Sequence, residues 1–254
     1  MTLSARAPFT PEVAKGAVPI VLAACLAASP ASAVIGPSAD GAALSPVVVM
    51  VLQRSGAAAG FCSGIVVGRR TVLTAAHCVP AGADLRVHYR DEAGKPVLLP
   101  VADVVRNPGY RADAVRARQR SIDLAVVRLP ADLPARFRSA TLGTMAATRL
   151  GARFRIAGYG VTREGDGRSS GQLRVGEIAA RGPLSSLLLW AKGAEGQGGA
   201  CTGDSGGPVL DAEADTVEAM TLWSAGSGKA KCGDLTQAIW LGPYRSWLDG
   251  LTKP

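Results

Sequence analysis

From residue 45 onward the apolar residues come in short runs bounded by glycine, proline or other turn formers, and helical spacing is scarce. Residues 47–53, 64–67, 71–74, 85–89, 97–105 and 124–129 form one series of such runs; 152–158, 171–178, 187–192, 209–210 and 218–223 form another. Runs of this length bury their side chains as strands, so the chain is predicted to be all-β. The 31 glycines and 16 prolines supply the turns. A length of 254 residues suffices for one large unit or two small domains with a well-buried core. The exception to the β pattern is residues 243–251, where Tyr244, Trp247 and Leu248 recur at helical spacing and predict a terminal helix packed on the sheets. No repeat, linker or low-complexity segment follows residue 45.

The first 33 residues stand outside this pattern. Arg6 and Lys15 precede an apolar stretch, 16–28, and Ala31-Ser32-Ala33 closes the segment with small residues. That order is expected of a secretory signal cut after Ala33, and the apolar part is too short to cross a membrane. Leu22-Ala23-Ala24-Cys25 offers a competing reading, a bacterial lipoprotein box lipidated at Cys25, but the apolar run continues past the cysteine. The style of the leader and the richness in Ala, Arg and Gly suggest a bacterial exported protein, secreted or periplasmic after signal removal.

Chemistry is concentrated in residues 201–208, Cys-Thr-Gly-Asp-Ser-Gly-Gly-Pro. One hydroxyl, Ser205, stands among residues too small to cover it, and the glycines admit backbone conformations that a Cβ would forbid. Such a run also makes an ordinary turn. A serine is a weak nucleophile without a base and without donors for the oxyanion formed on attack. The chain has two histidines. His77, in Thr74-Ala75-Ala76-His77-Cys78, follows apolar runs and has small neighbours, as suits a side chain at a strand end facing a cleft. His88 alternates with charged residues and reads as an exposed sheet position. An imidazole acting as base needs a carboxylate to orient it. Asp123, set against the apolar run 124–129, is the candidate, since a lone buried charge there needs a partner.

Taken in the order His, Asp, Ser, these stretches resemble the chymotrypsin/trypsin family of serine endopeptidases, over nearly the whole of 34–254. Residues 74–78 and 203–208 match the family's histidine and serine motifs without change, and 123–129 match its aspartate motif conservatively. The resemblance implies two six-stranded antiparallel β-barrels, about 34–140 and 141–242, with the active site between them and a short helix at about 243–252. It implies a His77/Asp123/Ser205 triad with the amides of Gly203 and Ser205 as the oxyanion hole, acting on protein or peptide substrates through an acyl-enzyme. No metal or organic cofactor is required for that chemistry. A monomer is expected.

Further implications follow from the same resemblance. With Cys25 in the leader, four cysteines remain; they allow three pairings, and no Cys-x-x-Cys pair favours zinc. The family pairs Cys62 with Cys78 and Cys201 with Cys232. Signal removal exposes Val34-Ile35-Gly36, which resembles the family's activating N-terminus, whose ammonium pairs with the acid before the nucleophile, here Asp204. Pro37 replaces a second glycine. Gly158-Tyr159-Gly160 resembles the family's Gly-Trp-Gly turn. The floor of the primary pocket falls at Gly199, which argues against preference for Lys or Arg; the wall falls at Leu222-Trp223-Ser224, and Thr236 shortens the pocket. Small or medium neutral side chains are expected as substrates. Leu222 replaces a serine that in relatives bonds the triad aspartate.

The formal charge is +8, and loss of residues 1–33, which hold Arg6, Lys15 and Glu12, leaves +7. This balance draws the protein toward acidic surfaces, envelope polymers or acidic substrates. Four arginines lie in 111–120, just before Asp123, and read as a solvated loop. No nucleic-acid motif is present. A catalytically impaired family member serving as a basic secreted binding protein is the alternative function. An esterase of another fold requires a different chain order of serine, acid and histidine.

Overall fold

The short apolar runs close into two rings of strands. The computed structural model describes residues 1–2, 36, 38–194 and 198–252, so the leader, Cys25 and Val34 lie outside the described residues, Met1 and Thr2 excepted. The strands are β1 (Ser38–Asp40), β2 (Val48–Ser55), β3 (Ala58–Gly68), β4 (Thr71–Thr74), β5 (Asp84–Arg90), β6 (Pro96–Pro100), β7 (Asp103–Arg106) and β8 (Ala125–Arg128). They continue with β9 (Thr141–Leu142), β10 (Arg153–Gly158), β11 (Arg174–Arg181), β12 (Leu188–Gly193), β13 (Pro208–Asp211), β14 (Thr216–Ala225) and β15 (Leu235–Trp240). Helix α1 is a single turn, Ala114–Ala117, and α2 is Arg245–Thr252.

The first sheet runs β6-β5-β2-β3-β4-β8-β7, antiparallel throughout. Its edge strands β6 and β7 are halves of one bent stretch. Between them Val101 donates to Leu85 O at 3.4 Å and Ala102 to Arg128 O at 2.8 Å, so residues 96–106 serve both edges and the ring holds six strands. In the second sheet β11-β10-β13-β14-β15-β12 closes through a β11–β12 pairing, again six strands. β1 and β9 attach to this ring from outside, β1 against β11 and β9 parallel to β14. Ser38–Asp40 therefore pairs with the second sheet although it precedes the first in the chain.

Alternation explains which faces are buried. In β5 the inward Leu85, Val87 and Tyr89 are buried while Arg86 and His88 are only partly so. His88 is half-buried rather than exposed, with Nδ1 2.9 Å from Val97 O on the paired strand. Val48, Val51, Ile65, Leu73 and Val126 fill the first core; Phe154, Ile178, Leu189 and Trp240 fill the second, with Phe154 edge-on to Trp240 at 5.9 Å. Leu248 of α2 is fully buried, as the helical spacing predicted.

β15 and β3 depart from the sequence reading, as do the short elements β1, α1 and β9, which it did not predict. β15 had no predicted strand, because its inward residues Thr236 and Ala238 are small or polar and hide the period of two. β3 begins at Ala58, six residues before the predicted start, since Ala58, Ala59 and Gly60 carry no hydropathy signal. Among the described residues no helix is long and apolar enough to cross a membrane.

Candidate active site

The end of β4 delivers His77. Residues 71–76 are buried, and a 3₁₀ turn, Ala76–Cys78, lifts the imidazole out of the core until its side chain is 41 % exposed. Asp123 precedes β8, the strand paired with β4, and is only 18 % exposed. Its carboxylate receives two bonds from one residue: the His77 amide donates to Oδ1 at 2.9 Å, and His77 Nδ1 lies 2.7 Å from Oδ2. The backbone bond fixes the carboxylate and the ring bond leaves Nε2 as the free nitrogen. Tyr110 faces the same acid; burial first, then the Asp123 charge, pushes its phenol up.

The loop 201–207 carries Ser205 between β12 and β13. Its shape follows from where its amides go. Those of Asp204, Gly206 and Gly207 are spent on Cys201 O, Thr221 O and Asp204 O. The amides of Gly203 and Ser205 have no acceptor among the described residues. Thr202 O is held by the Val161 amide at 2.9 Å, and in a trans peptide this turns the Gly203 N–H the opposite way. Gly203 sits at φ +98°, and a Cβ there would lie 2.1 Å from the Phe61 ring. Only glycine fits.

Ser63 ties this loop to the first barrel. Its hydroxyl donates to Gly203 O at 2.9 Å and accepts from the Tyr159 amide at 3.0 Å. Its amide donates to Ser205 O at 2.8 Å, and its carbonyl accepts from Thr74 Oγ1 at 2.8 Å. The residue is fully buried. The sequence offered no signal for this role beyond a serine next to Cys62.

Ser205 and His77 are brought to one place but are not hydrogen-bonded to each other. Ser205 Oγ donates to Leu222 O at 2.8 Å, while His77 Nε2 lies 3.6 Å from Cys78 Sγ, a sulfur 3.9 Å from Ser205 O. Leu222 is buried and contributes its carbonyl here; Asp123 receives no bond from its side chain. Cys62, His77 and Cys78 cluster with metal-ligand proximity, yet the two sulfurs are joined to each other, which removes both thiolates as ligands. Cys201 is joined to Cys232 in the same way.

Asp204 is buried and packed between glycines. The Gly160 amide donates to Oδ1 and the Cys201 amide to Oδ2, both at 2.9 Å; a Cβ on Gly158 or Gly160 would strike the carboxylate at 2.2 and 2.5 Å. Burial pushes its pKa up to about 7, against the lowering by the two amides. No cationic side chain among the described residues forms an ion pair with it. Val34, its expected partner, lies outside the described residues.

The expected pocket residues also converge. Gly199, at φ +142°, is buried, and a Cβ there would lie 2.7 Å from Thr236 Oγ1. That hydroxyl accepts the Ala200 amide at 2.9 Å. Ser224 pairs with Thr236 across β14 and β15, and Trp223, the preceding residue of β14, stands 56 % exposed, while Leu222 is buried.

The sequence model of the trypsin family matches residues 34–248. Among curated relatives, human granzyme M is 29% identical over 227 residues, covering 79% of this chain and 82% of its own. Trypsin epsilon of Drosophila erecta is 29% identical over 206 residues, covering 72% and 73%. Among solved structures, neuropsin, a serine protease of mouse brain, superposes with a TM-score of 0.63 at 21% identity, covering 80% of this chain and 94% of its own.

Proposed function

The chain belongs to the trypsin family of serine endopeptidases, and from that membership we propose that it cleaves peptide bonds through Ser205, His77 and Asp123. Ser205 attacks the carbonyl after its hydroxyl swings from Leu222 O toward His77. His77 Nε2 takes the proton and returns it to the leaving amine; Asp123 keeps Nδ1 protonated and stabilises the imidazolium. The Gly203 and Ser205 amides receive the oxyanion, each donor contributing about 3 kcal/mol in comparable sites. The observation that carries this reading is that these two amides alone, of the five from 203 to 207, are unspent beside an ordered His77–Asp123 pair.

We assign the primary pocket to Gly199, Trp223, Ser224 and Thr236. With no acid at 199 and the Thr236 hydroxyl across the floor, the site takes small or medium neutral side chains. A peptide library scores this. Cleavage after Ala, Val or Thr is expected, and Thr236→Gly is expected to move preference toward larger residues by about tenfold, the scale of one or two methylenes in a pocket. Strong cleavage after Arg or Lys would overturn the pocket assignment.

Activation is assigned to signal removal, with Val34 as the ammonium for Asp204; the buried carboxylate in its glycine cradle supports this. The disulfides suit an oxidising compartment, and the leader suits bacterial export, secreted or periplasmic, as a monomer. One observation favours a second reading, an impaired enzyme that acts by binding: Ser205 Oγ is bonded to Leu222 O and not to His77. Reaction with a fluorophosphonate separates the two readings.

A further inference from the structure

The hydroxyl of Thr221, a residue only 1 % exposed, has no hydrogen-bond partner among the described residues. A buried hydroxyl left alone costs stability, and valine would fill the same space without that cost. Its surroundings in the fold point to the group it bonds.

Two features of β14 set the direction of this side chain. Along the strand Ala219 belongs to the second core and Met220 to the first, so alternation turns Thr221 toward the interior of the second barrel. Across the sheet Thr221 stands opposite Ala238 of β15, which also lies in the second core. Cross-strand partners share a face, and so do residues two apart on one strand; Thr221, Ala238 and Thr236 therefore form one buried row. Thr236 is the residue whose hydroxyl accepts the Ala200 amide beside Gly199, in the proposed primary pocket.

The backbone of Thr221 ties this row to the nucleophile. Its carbonyl accepts from the Gly206 amide at 2.7 Å and its amide donates to Gly207 O at 2.9 Å, the two residues that follow Ser205. The next residue, Leu222, supplies the carbonyl that receives Ser205 Oγ. Between Thr221 and Trp223 the register slips, an irregularity of the kind that interrupts pairing beside active sites. Thr221 is thus joined on one side to the Ser205 loop and on the other, through Ala238, to Thr236. Gly199 and Thr236 are buried as it is.

We propose that Thr221 is a further specificity-determining residue of the primary pocket, and that its hydroxyl selects a substrate side chain with a hydroxyl of its own, threonine or serine, over the apolar isosteres valine and alanine. The proposal rests on the pocket assignment made above and refines it. A hydroxyl can both donate and accept, so a substrate hydroxyl meets Thr221 in whichever role is open. An apolar isostere leaves Thr221 unpaired, the circumstance in which a pocket discriminates by polarity as well as by size. Thr236 in the same row keeps the accepted side chain short.

The test compares kcat/KM on matched peptides that differ only in the residue before the scissile bond: Thr against Val, Ser against Ala, and Asn. The parent, Thr221→Val and Thr221→Ser are assayed, and fluorophosphonate labelling of the parent scores Ser205 independently. The parent is expected to favour Thr over Val and Ser over Ala by about tenfold, the scale of one hydrogen bond made in place of an unpaired buried group. Thr221→Val keeps the shape and removes the hydroxyl, and is expected to bring both ratios within about twofold of one. Thr221→Ser keeps the hydroxyl and is expected to retain a preference of at least about threefold. Ratios in Thr221→Val equal to those of the parent would mean that another group reads the side chain, and would overturn the proposal. A labelled parent that cleaves after Val as fast as after Thr would overturn it too, with the catalytic reading left standing. A folded parent that neither labels nor cleaves would overturn the catalytic reading, and this proposal with it. Faster cleavage after Asn than after Thr would put a carboxamide in place of the hydroxyl and overturn the assignment.

Discussion

Asp204 decides how the chain responds to pH. A carboxyl that ionises near 3.8 in the unfolded chain holds its proton to about 7 when buried between Gly158 and Gly160. The unfolded state then binds fewer protons than the folded one, so stability is greatest at low pH and falls as pH rises from about 4 to 7, by on the order of 4 kcal/mol. On the proposed activation, an ammonium at Val34 would reverse this by holding the carboxylate ionised. Melting curves should therefore show the full-length chain losing stability between pH 4.5 and 7.5, on the scale just given, while a chain starting at Val34 stays nearly level. Parallel profiles for the two forms would separate Val34 from Asp204. At this scale the sequence was informative wherever chemistry demands a residue type: His77 and Asp123, singled out by their motifs, lie within hydrogen-bond reach of each other, while the Ser205 hydroxyl bonds Leu222 O. It was silent on Ser63, because a buried hydroxyl that joins a loop to another element leaves no pattern in its own neighbourhood. It was silent too on the Ser205 hydroxyl, whose acceptor is a backbone carbonyl any residue would provide.

The loop 201–207 is an element with no regular structure of its own, shaped by what it borders. Ser63 on β3 joins Gly203, Ser205 and, through its hydroxyl, the Tyr159 turn. Removing that hydroxyl leaves a buried carbonyl and a buried amide unpaired, at a cost of roughly 1–3 kcal/mol. Ser63→Ala is expected to lower kcat about tenfold, since one misplaced oxyanion donor costs more than that, with KM nearly unchanged. A fall in thermal stability with kcat intact would assign Ser63 to folding alone. Strands were legible where apolar runs alternate with polar residues, as in β5, and where both faces are buried, as in β4 and β8. β15 escaped because the inward Thr236 is polar, spent on accepting the Ala200 amide, and so interrupts the apolar period of two.

For the molecule as a whole, the two six-stranded rings place His77 and Asp123 on one barrel and Ser205 on a loop of the other, tied together by contacts that no local pattern records. The disulfides secure both sides, closing separations of 16 and 31 residues, each worth about 3 kcal/mol in the chain-entropy picture. Charge belongs to this scale as well. The chain carries an excess of +8, and ten of its described arginines lie against a carboxylate.

The central claim is that Ser205 is an activated nucleophile, and fluorophosphonate labelling of the purified protein tests it most directly. Parent, Ser205→Ala and His77→Ala are compared, and mass spectrometry reads the modified peptide and the N-terminus. The account predicts label on Ser205 in a chain starting at Val34, none in Ser205→Ala, and labelling slowed by at least about a thousandfold in His77→Ala. Absence of label on a folded parent chain that starts at Val34 would contradict it. The Ser205–Leu222 bond would then be the permanent state of the site, and binding would be the function.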